Sequence, residues 1–244
     1  MPPDSPQGKA RLAAVARRRA FASLTDRDAL RDPLLSVLTV LLAILIFGVV
    51  PLHAAQILAA EGYTVVLALI LASCALVQSR RVGVVVIITA GVLLSTMAIV
   101  LRSHSPSDLD LYLDGAATSI ISGALIMLVT AASFAPGPIT IHRVNGAILL
   151  YLTLGIGFAG AFTIICVASP GAIRDFDVGN QRTVASTALY FSFSTLTSVG
   201  YGDLTPVHPL ARSFATLEAI IGQLFPATLL ASLVTMHIES RRRR

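Results

Sequence analysis

The chain has 244 residues, 55% of them hydrophobic and 13% charged, with a mean hydropathy of +0.80 and a net charge of +5. An ordinary soluble domain carries about 25% charged residues, so a soluble globular protein is excluded at the outset. Apolar runs of about 20 residues cross a hydrocarbon core of about 30 Å, and the uncharged runs of this chain reach that length.

Residues 1–32 form a basic segment with Lys9, Arg11, Arg17, Arg18, Arg19, Arg27 and Arg31. Two readings stand for it, a disordered tail and a short helix lying on the membrane surface through Leu12, Val15 and Phe21. Uncharged runs follow at residues 33–60, 62–79, 82–101, 115–142, 144–173 and 219–238, which predict six spanning helices. The first five are placed at 33–52, 62–78, 82–101, 109–134 and 144–168. Ala135-Pro136-Gly137-Pro138 breaks the chain after the fourth, so residues 33–134 read as a four-helix membrane domain and 135–143 as a linker. Residues 144–238 then form a second membrane domain, and 239–244 a basic tail. In the fifth span Gly146, Gly155, Gly157 and Gly160 are small residues that let neighbouring helices approach. Cys74 and Cys166 fall in spans near opposite faces and are expected to be free thiols.

If six spans alternate, fourteen of the 18 Lys and Arg fall on one side. Both termini are therefore predicted cytoplasmic, in a multi-pass protein of the plasma (inner) membrane. The basic runs flank apolar spans, so they point to orientation and to anionic lipid at the N-terminal segment and Arg241–Arg244, and not to nucleic acid.

One uncharged run, 183–202, is rich in Ser and Thr and ends in glycines, so it does not read as a span. Its last part, Ser198-Val199-Gly200-Tyr201-Gly202 followed by Asp203, lies between two apolar spans and resembles the pore loop of potassium channels, which usually reads Thr-Val-Gly-Tyr-Gly. The chain is thus similar to bacterial potassium channels, tetrameric pore-loop cation channels of the six-span type. The motif resemblance covers residues 144–237. The implied fold is all-α, with six transmembrane helices plus a re-entrant pore helix and selectivity filter between the fifth and sixth.

A cation crosses hydrocarbon only where oxygens replace its water, and stacked backbone carbonyls do so. Gly200 and Gly202 take positive φ without a Cβ penalty, so the carbonyls of Ser198, Val199, Gly200 and Tyr201 are expected to line one tube and hold K+. Residues 184–196 are expected as the re-entrant helix, its C-terminal end aimed at a central cavity. Tyr190 and Phe191 are expected to buttress Tyr201. Thr195, Thr197 and the Ser198 hydroxyl are expected at the inner mouth, and Asp203 at the outer one. Ser198 lacks the usual methyl, which leaves a weakly selective cation channel as the alternative to a potassium-selective one. Ser194 stands where some bacterial channels carry Glu, so that Glu–Asp pair cannot form.

In the last span the resemblance implies that Gly222 is a gating hinge. Pro226 removes a helical hydrogen bond, and two readings stand for it, a gating kink and a tolerated membrane proline. Gln223, Pro226 and Leu230 share a face expected to line the cavity. Glu218 is expected to be hydrogen-bonded behind the filter, because an unpaired charge at the bilayer centre costs about 2.5 to 3.5 kcal/mol.

No Lys or Arg lies between Asp114 and Arg143, so no voltage sensor built on an arginine ladder is expected. Six residues remain after Ile238, and no ligand-binding domain is expected after the pore. One filter motif per chain implies a homotetramer. An enzyme would need convergent ionisable groups in the membrane, yet the histidines sit in loops or at span ends and no His-Glu-x-x-His occurs. The reading is therefore passive potassium transport, without cofactors. A non-conducting structural subunit is disfavoured by the complete Val-Gly-Tyr-Gly-Asp.

Overall fold

A computed structural model of the chain describes residues 36–57, 82–104, 107–133 and 141–242. The basic segment 1–32, the predicted span 62–78 with Cys74, most of the linker 135–143, and Arg243 and Arg244 lie outside the described residues.

Helix α1 spans Ser36–Ala54. Leu38, Leu42 and Ile46 recur every four residues along it and are all buried. A wider π-helical turn over Leu45–Val49 directly precedes Pro51. Proline has no N–H, and its ring crowds the carbonyl four residues back; the widened turn makes room for it. The helix ends with Gln56 at φ 62°, and the Ile57 N–H reaches back to the Leu52 carbonyl at 3.0 Å, which closes the last turn.

Helix α2 covers Val82–His104 and helix α3 Asp108–Ser133. Helix α4 covers Ile141–Ala168 and makes its most extensive contact with α3. A Cβ on Gly160 would lie 2.8 Å from both the Gly115 carbonyl and the Ser119 hydroxyl, so small residues set the α3–α4 distance. α4 begins three residues before the expected span, inside the predicted linker, because Arg143 limits how far a membrane span extends but does not end a helix. Cys166 is a buried free thiol on α4.

Strand β1, Ile173–Arg174, precedes helix α5, Gln181–Leu196, and strand β2, Thr205–Pro206, precedes helix α6, Pro209–Arg242. The strands pair antiparallel, Ile173 opposite Pro206 and Arg174 opposite Thr205. The Val207 and His208 N–H groups both reach the Ala172 carbonyl, at 2.8 and 3.0 Å.

Among the described residues three helical stretches are long and apolar enough to cross a membrane: Ser36–Ala54, Asp108–Met127 and Val144–Ala168. Val86–Arg102 is apolar but shorter. The architecture is that of a mostly helical membrane protein.

Two apolar clusters hold the helices together. One gathers Leu38, Leu42 and Ile46 of α1 with Ile121 and Leu125 of α3 and Leu149 and Ile156 of α4, with Phe193 and Phe225 packed against it. The other gathers Phe162 and Cys166 of α4, Ile173 and Phe176 of the following loop, Val184 and Phe191 of α5, and Ala211 and Ala215 of α6. Phe162 is fully buried, and because lipid is as apolar as its ring, what it contributes between the helices is close packing.

A polar knot sits where α2, α3 and α5 meet. Asp110, wholly buried, accepts from the Ser107 N–H at 2.7 Å, from Arg102 Nε at 2.8 Å and from Gln181 Nε2 at 3.3 Å. Arg102 also lies 3.6 Å from Asp114. The first turn of α5 is thereby tied to α2 and α3, and α5 starts at Gln181 rather than at the expected Val184.

Candidate functional site

The site begins where α5 stops. The Val199 N–H bonds to the Ser194 carbonyl at 2.9 Å and the Ser198 N–H to the Thr195 carbonyl at 2.9 Å. That pair of bonds is the helix-closing motif that needs a left-handed residue, and Ser198, at φ 58°, fills the position. Glycine is the usual occupant; an unbranched serine tolerates it better than a β-branched residue does. The sequence carried no signal for this, because Ser198 was not a glycine.

Beyond Ser198, Gly200 and Gly202 have φ of 56° and 87°, whereas Val199 and Tyr201 do not have positive φ. Alternation of left- and right-handed residues turns successive carbonyls toward one side of the strand and the N–H groups toward the other. The Gly200 N–H shares the Ser194 carbonyl, at 3.1 Å. Residues 198–202 therefore form a backbone ribbon with positive φ at every second residue, anchored by its N–H groups to the end of α5.

Side chains brace this ribbon. The Tyr201 ring stacks on Tyr190 of α5, with centroids 5.8 Å apart and planes 12° apart, and Asp203 lies against the Tyr190 hydroxyl. Asp203 Oδ1 also accepts from the Leu204 N–H at 3.0 Å. Phe191 turns away: it is buried and meets Phe162 of α4 edge-on at 4.8 Å, bracing α5 and not the Tyr201 ring. Neighbouring residues on a helix project about 100° apart, so Tyr190 and Phe191 cannot serve the same face. The hydroxyls of Thr195 and Thr197 bond back to the carbonyls of Phe191 and Phe193, at 2.8 and 2.6 Å.

Helix α6 closes the site from behind. Gly222 lies so near the end of α5 that a Cβ would overlap the Leu196 carbonyl. The Tyr151 hydroxyl of α4 donates to that carbonyl at 3.3 Å, and the Tyr151 ring packs on Phe225 at 5.6 Å. Gln223 Nε2 donates to the Ser198 hydroxyl at 2.8 Å. Glu218 is fully buried against Ser192 of α5, which also bonds to the Gly155 carbonyl of α4. Pro226 stands within α6, four residues after Gly222, and so leaves the Gly222 carbonyl without its helical donor. The side chain of Leu230 lies outside the described residues.

Residues 190–203 and Gln223 are thus brought together, with Gly222 and Pro226 one turn of α6 apart behind them. Sequence reasoning passed over Ser192, Phe193 and Gln181. Phe193 packs on Phe47 of α1 at 5.8 Å, and a Cβ on Gly155 would meet its ring at 2.7 Å. The Phe47 partner, more than a hundred residues away, left no local signal. Among the described residues no cluster of three or more His, Cys, Asp or Glu is placed to hold a metal ion. The oxygens on offer are backbone carbonyls and hydroxyls, which suit a weakly held monovalent cation exchanging its hydration shell.

Comparison with known proteins points to an ion channel. A family model described as "Ion channel" matches residues 150–239. Protein LctB of Geobacillus stearothermophilus is 31% identical over 127 residues, which cover 49% of this chain and 91% of the relative. The inward rectifier potassium channel Kirbac3.1 of Paramagnetospirillum magnetotacticum is 36% identical over 91 residues, 36% of this chain and 26% of the relative. The two pore potassium channel c of Oryza sativa subsp. japonica is 36% identical over 92 residues, 38% of this chain and 18% of the relative. No solved structure matches.

Proposed function

The chain belongs to the pore-loop family of potassium channels and is no enzyme; we propose that it passes K+ down its gradient through a pore that four copies build around residues 198–202. The observation that carries this reading is the positive φ at every second residue, Ser198, Gly200 and Gly202, which supports a ribbon with its carbonyl oxygens on one side. A single ribbon covers one side of an ion; four around an axis replace its water shell. The ion sites are the carbonyls of Ser198, Val199, Gly200 and Tyr201 together with the Ser198 hydroxyl.

The homotetramer has further support. Leu210, Phe214, Leu217, Ile220 and Leu224 are exposed at helical spacing along α6, continuous with exposed Val199 and Tyr201. This apolar face adjoins the ribbon and suits a second copy of the chain. In the assembled channel α5 enters the membrane from the outer side and returns as the filter, between the fifth and sixth of six spans. Its C-terminal carbonyls face the central cavity, where the partial negative charge of the helix end stabilises a waiting cation. Gly222 and Pro226 are the place where α6 bends, and Gln223 faces the cavity.

Both termini lie in the cytoplasm, with the channel in the plasma membrane and the basic ends on anionic lipid. Residues 115–142 carry no Lys or Arg, which supports a pore that opens without an arginine voltage sensor. The test is a planar-bilayer recording of purified protein with K+ on one side and Na+ on the other. A reversal potential near the K+ equilibrium value and a shallow dependence of opening on voltage are expected; a reversal potential near zero refutes K+ selectivity. That outcome favours the second reading, a weakly selective cation pore, for which the specific observation is Ser198 with its hydroxyl engaged by Gln223.

A further inference from the structure

Glu218 lies in the first third of α6 and has no exposed surface. Its Oε1 is 2.5 Å from Ser192 Oγ on α5, and the same Oγ is 2.7 Å from the Gly155 carbonyl oxygen on α4. Both distances are hydrogen bonds. A hydroxyl owns one proton, and a peptide carbonyl accepts only. An ionised carboxylate also accepts only, so with Glu218 charged two acceptors would compete for the single Ser192 proton. With a proton on Glu218 both bonds form: Oε1–H donates to Ser192 Oγ, and Ser192 Oγ–H donates to Gly155.

The surroundings agree with a neutral acid. Ion pairs among the described residues are those of Arg102, and none reaches Glu218. From α4 the titratable group facing it is Tyr151, whose proton is committed to the Leu196 carbonyl. From α5 it meets Ser192, and its own Oε2 has no hydrogen-bond partner among the described residues. A buried charge in that position would have at most the Ser192 hydroxyl to compensate it, and would take that proton from the Gly155 carbonyl.

We propose that Glu218 is a positioning residue held in its protonated form, a donor strut that ties α6 through Ser192 to α5 and α4 behind the ribbon, and that its ionisation releases the strut and lowers conduction. The proposal rests on the channel reading. Proton loss replaces the donor on Oε1 by a second acceptor, so the Ser192–Glu218 and Ser192–Gly155 bonds can no longer coexist. Alkaline conditions are therefore the inhibitory direction. In Glu218→Gln the side-chain amide donates to Ser192 Oγ in place of the acid and has no proton to lose.

The experiment pairs infrared difference spectroscopy with potassium flux, on the full chain in liposomes of fixed lipid composition, from neutral to strongly alkaline pH. Wild type is expected to show the C=O stretch of a protonated carboxylic acid at neutral pH. That band is absent in Glu218→Gln and fades in step with the flux, which falls about tenfold, the factor that goes with losing one or two net hydrogen bonds. Glu218→Gln is expected to conduct at the wild-type neutral rate with a level pH profile. Ser192→Ala removes the acceptor of the Glu218 proton, and the band is expected to move toward that of a free acid.

No assignable band at neutral pH, an unmoved band in Ser192→Ala, a level wild-type flux, or a Glu218→Gln profile matching wild type each overturns the strut. A wild type that shows the band but passes no potassium at any pH refutes the channel reading, and with it the link to conduction, while the protonation itself stands.

Discussion

Replacing Gly222 by alanine separates two reasons for a glycine at that point. As an ordinary interior helical position, alanine would favour α6 by about 1 kcal/mol. The structure sets a larger effect against it, because the new Cβ would overlap the carbonyl carbon and oxygen of Leu196. Overpacking against movable side chains costs about 1 to 3 kcal/mol, and these are backbone atoms at the end of a helix, which places the cost at or above about 3 kcal/mol. The net is a loss of about 2 kcal/mol, or roughly a 30-fold shift in population. It acts by driving α6 away from α5. Gln223 is the next residue, so its 2.8 Å bond to Ser198 should be lost in the same movement. Gly222→Ala is therefore expected to lower the thermal stability of the detergent-solubilised assembly and the K+ to Na+ selectivity together. Pro226→Ala, which restores a donor to the Gly222 carbonyl and adds nothing against Leu196, should leave selectivity intact. A Gly222→Ala protein that melts higher than wild type, keeps its selectivity and differs only in how often it opens would refute the close-approach argument and leave the hinge as the sole reason for glycine.

Further perturbations probe the other contacts. Gln223→Leu removes the donor to Ser198, a net of about 0.5 to 1.5 kcal/mol, so selectivity measured from bi-ionic reversal potentials should fall roughly two- to tenfold. Asp110→Asn keeps the shape of the knot but removes the charge of the carboxylate nearest to Arg102, Asp114 lying farther off at 3.6 Å. A cost of about 3 kcal/mol is expected in thermal unfolding, at the low end for a broken buried pair because the Arg102 side chain stays 23% exposed. An Asp110→Asn protein that melts with wild type would show the knot to be ornamental to stability. Tyr190→Phe keeps the stack on Tyr201 and loses the contact with Asp203, whereas Tyr190→Ala loses both. Selectivity should survive the first and fall in the second, and equal behaviour of the two would dissociate the stack from ribbon geometry.

What could be read from residue order was what depends on local rules. Gly200 and Gly202 announce positive φ because glycine alone adopts it freely, and the Ser/Thr-rich run before them ends in a helix that runs on to Leu196 as expected. Ser198 carries the same left-handed backbone without a glycine to mark it. The far end of α5 was misplaced by a turn because its first residue is held by Asp110, 71 positions earlier, a tie that no periodicity encodes. Arg102 and its acids read as charges sorted by side of the membrane, although together they form one buried junction. Phe191 was assigned to the same task as Tyr190, and the 100° step between helix neighbours was enough to separate them. Glu218 was expected to find a hydrogen bond by the cost of burying a charge; that the partner would be Ser192, with a single proton to share between two acceptors, required the packing of three helices.

The two-residue ladder between β1 and β2 is small, but it changes the entropy of everything between its strands. Residues 175–204 leave and return to one point, fastened there by the strand pair and by two further bonds to Ala172. Closing a loop of this size restricts the chain only slowly with length, and here that restriction is imposed by contacts within the protein. On the proposed function, an arriving ion would meet a ribbon whose two ends are already tethered. Binding there would spend little free energy on ordering the loop, so a modest set of oxygen contacts would suffice to replace the ion's water.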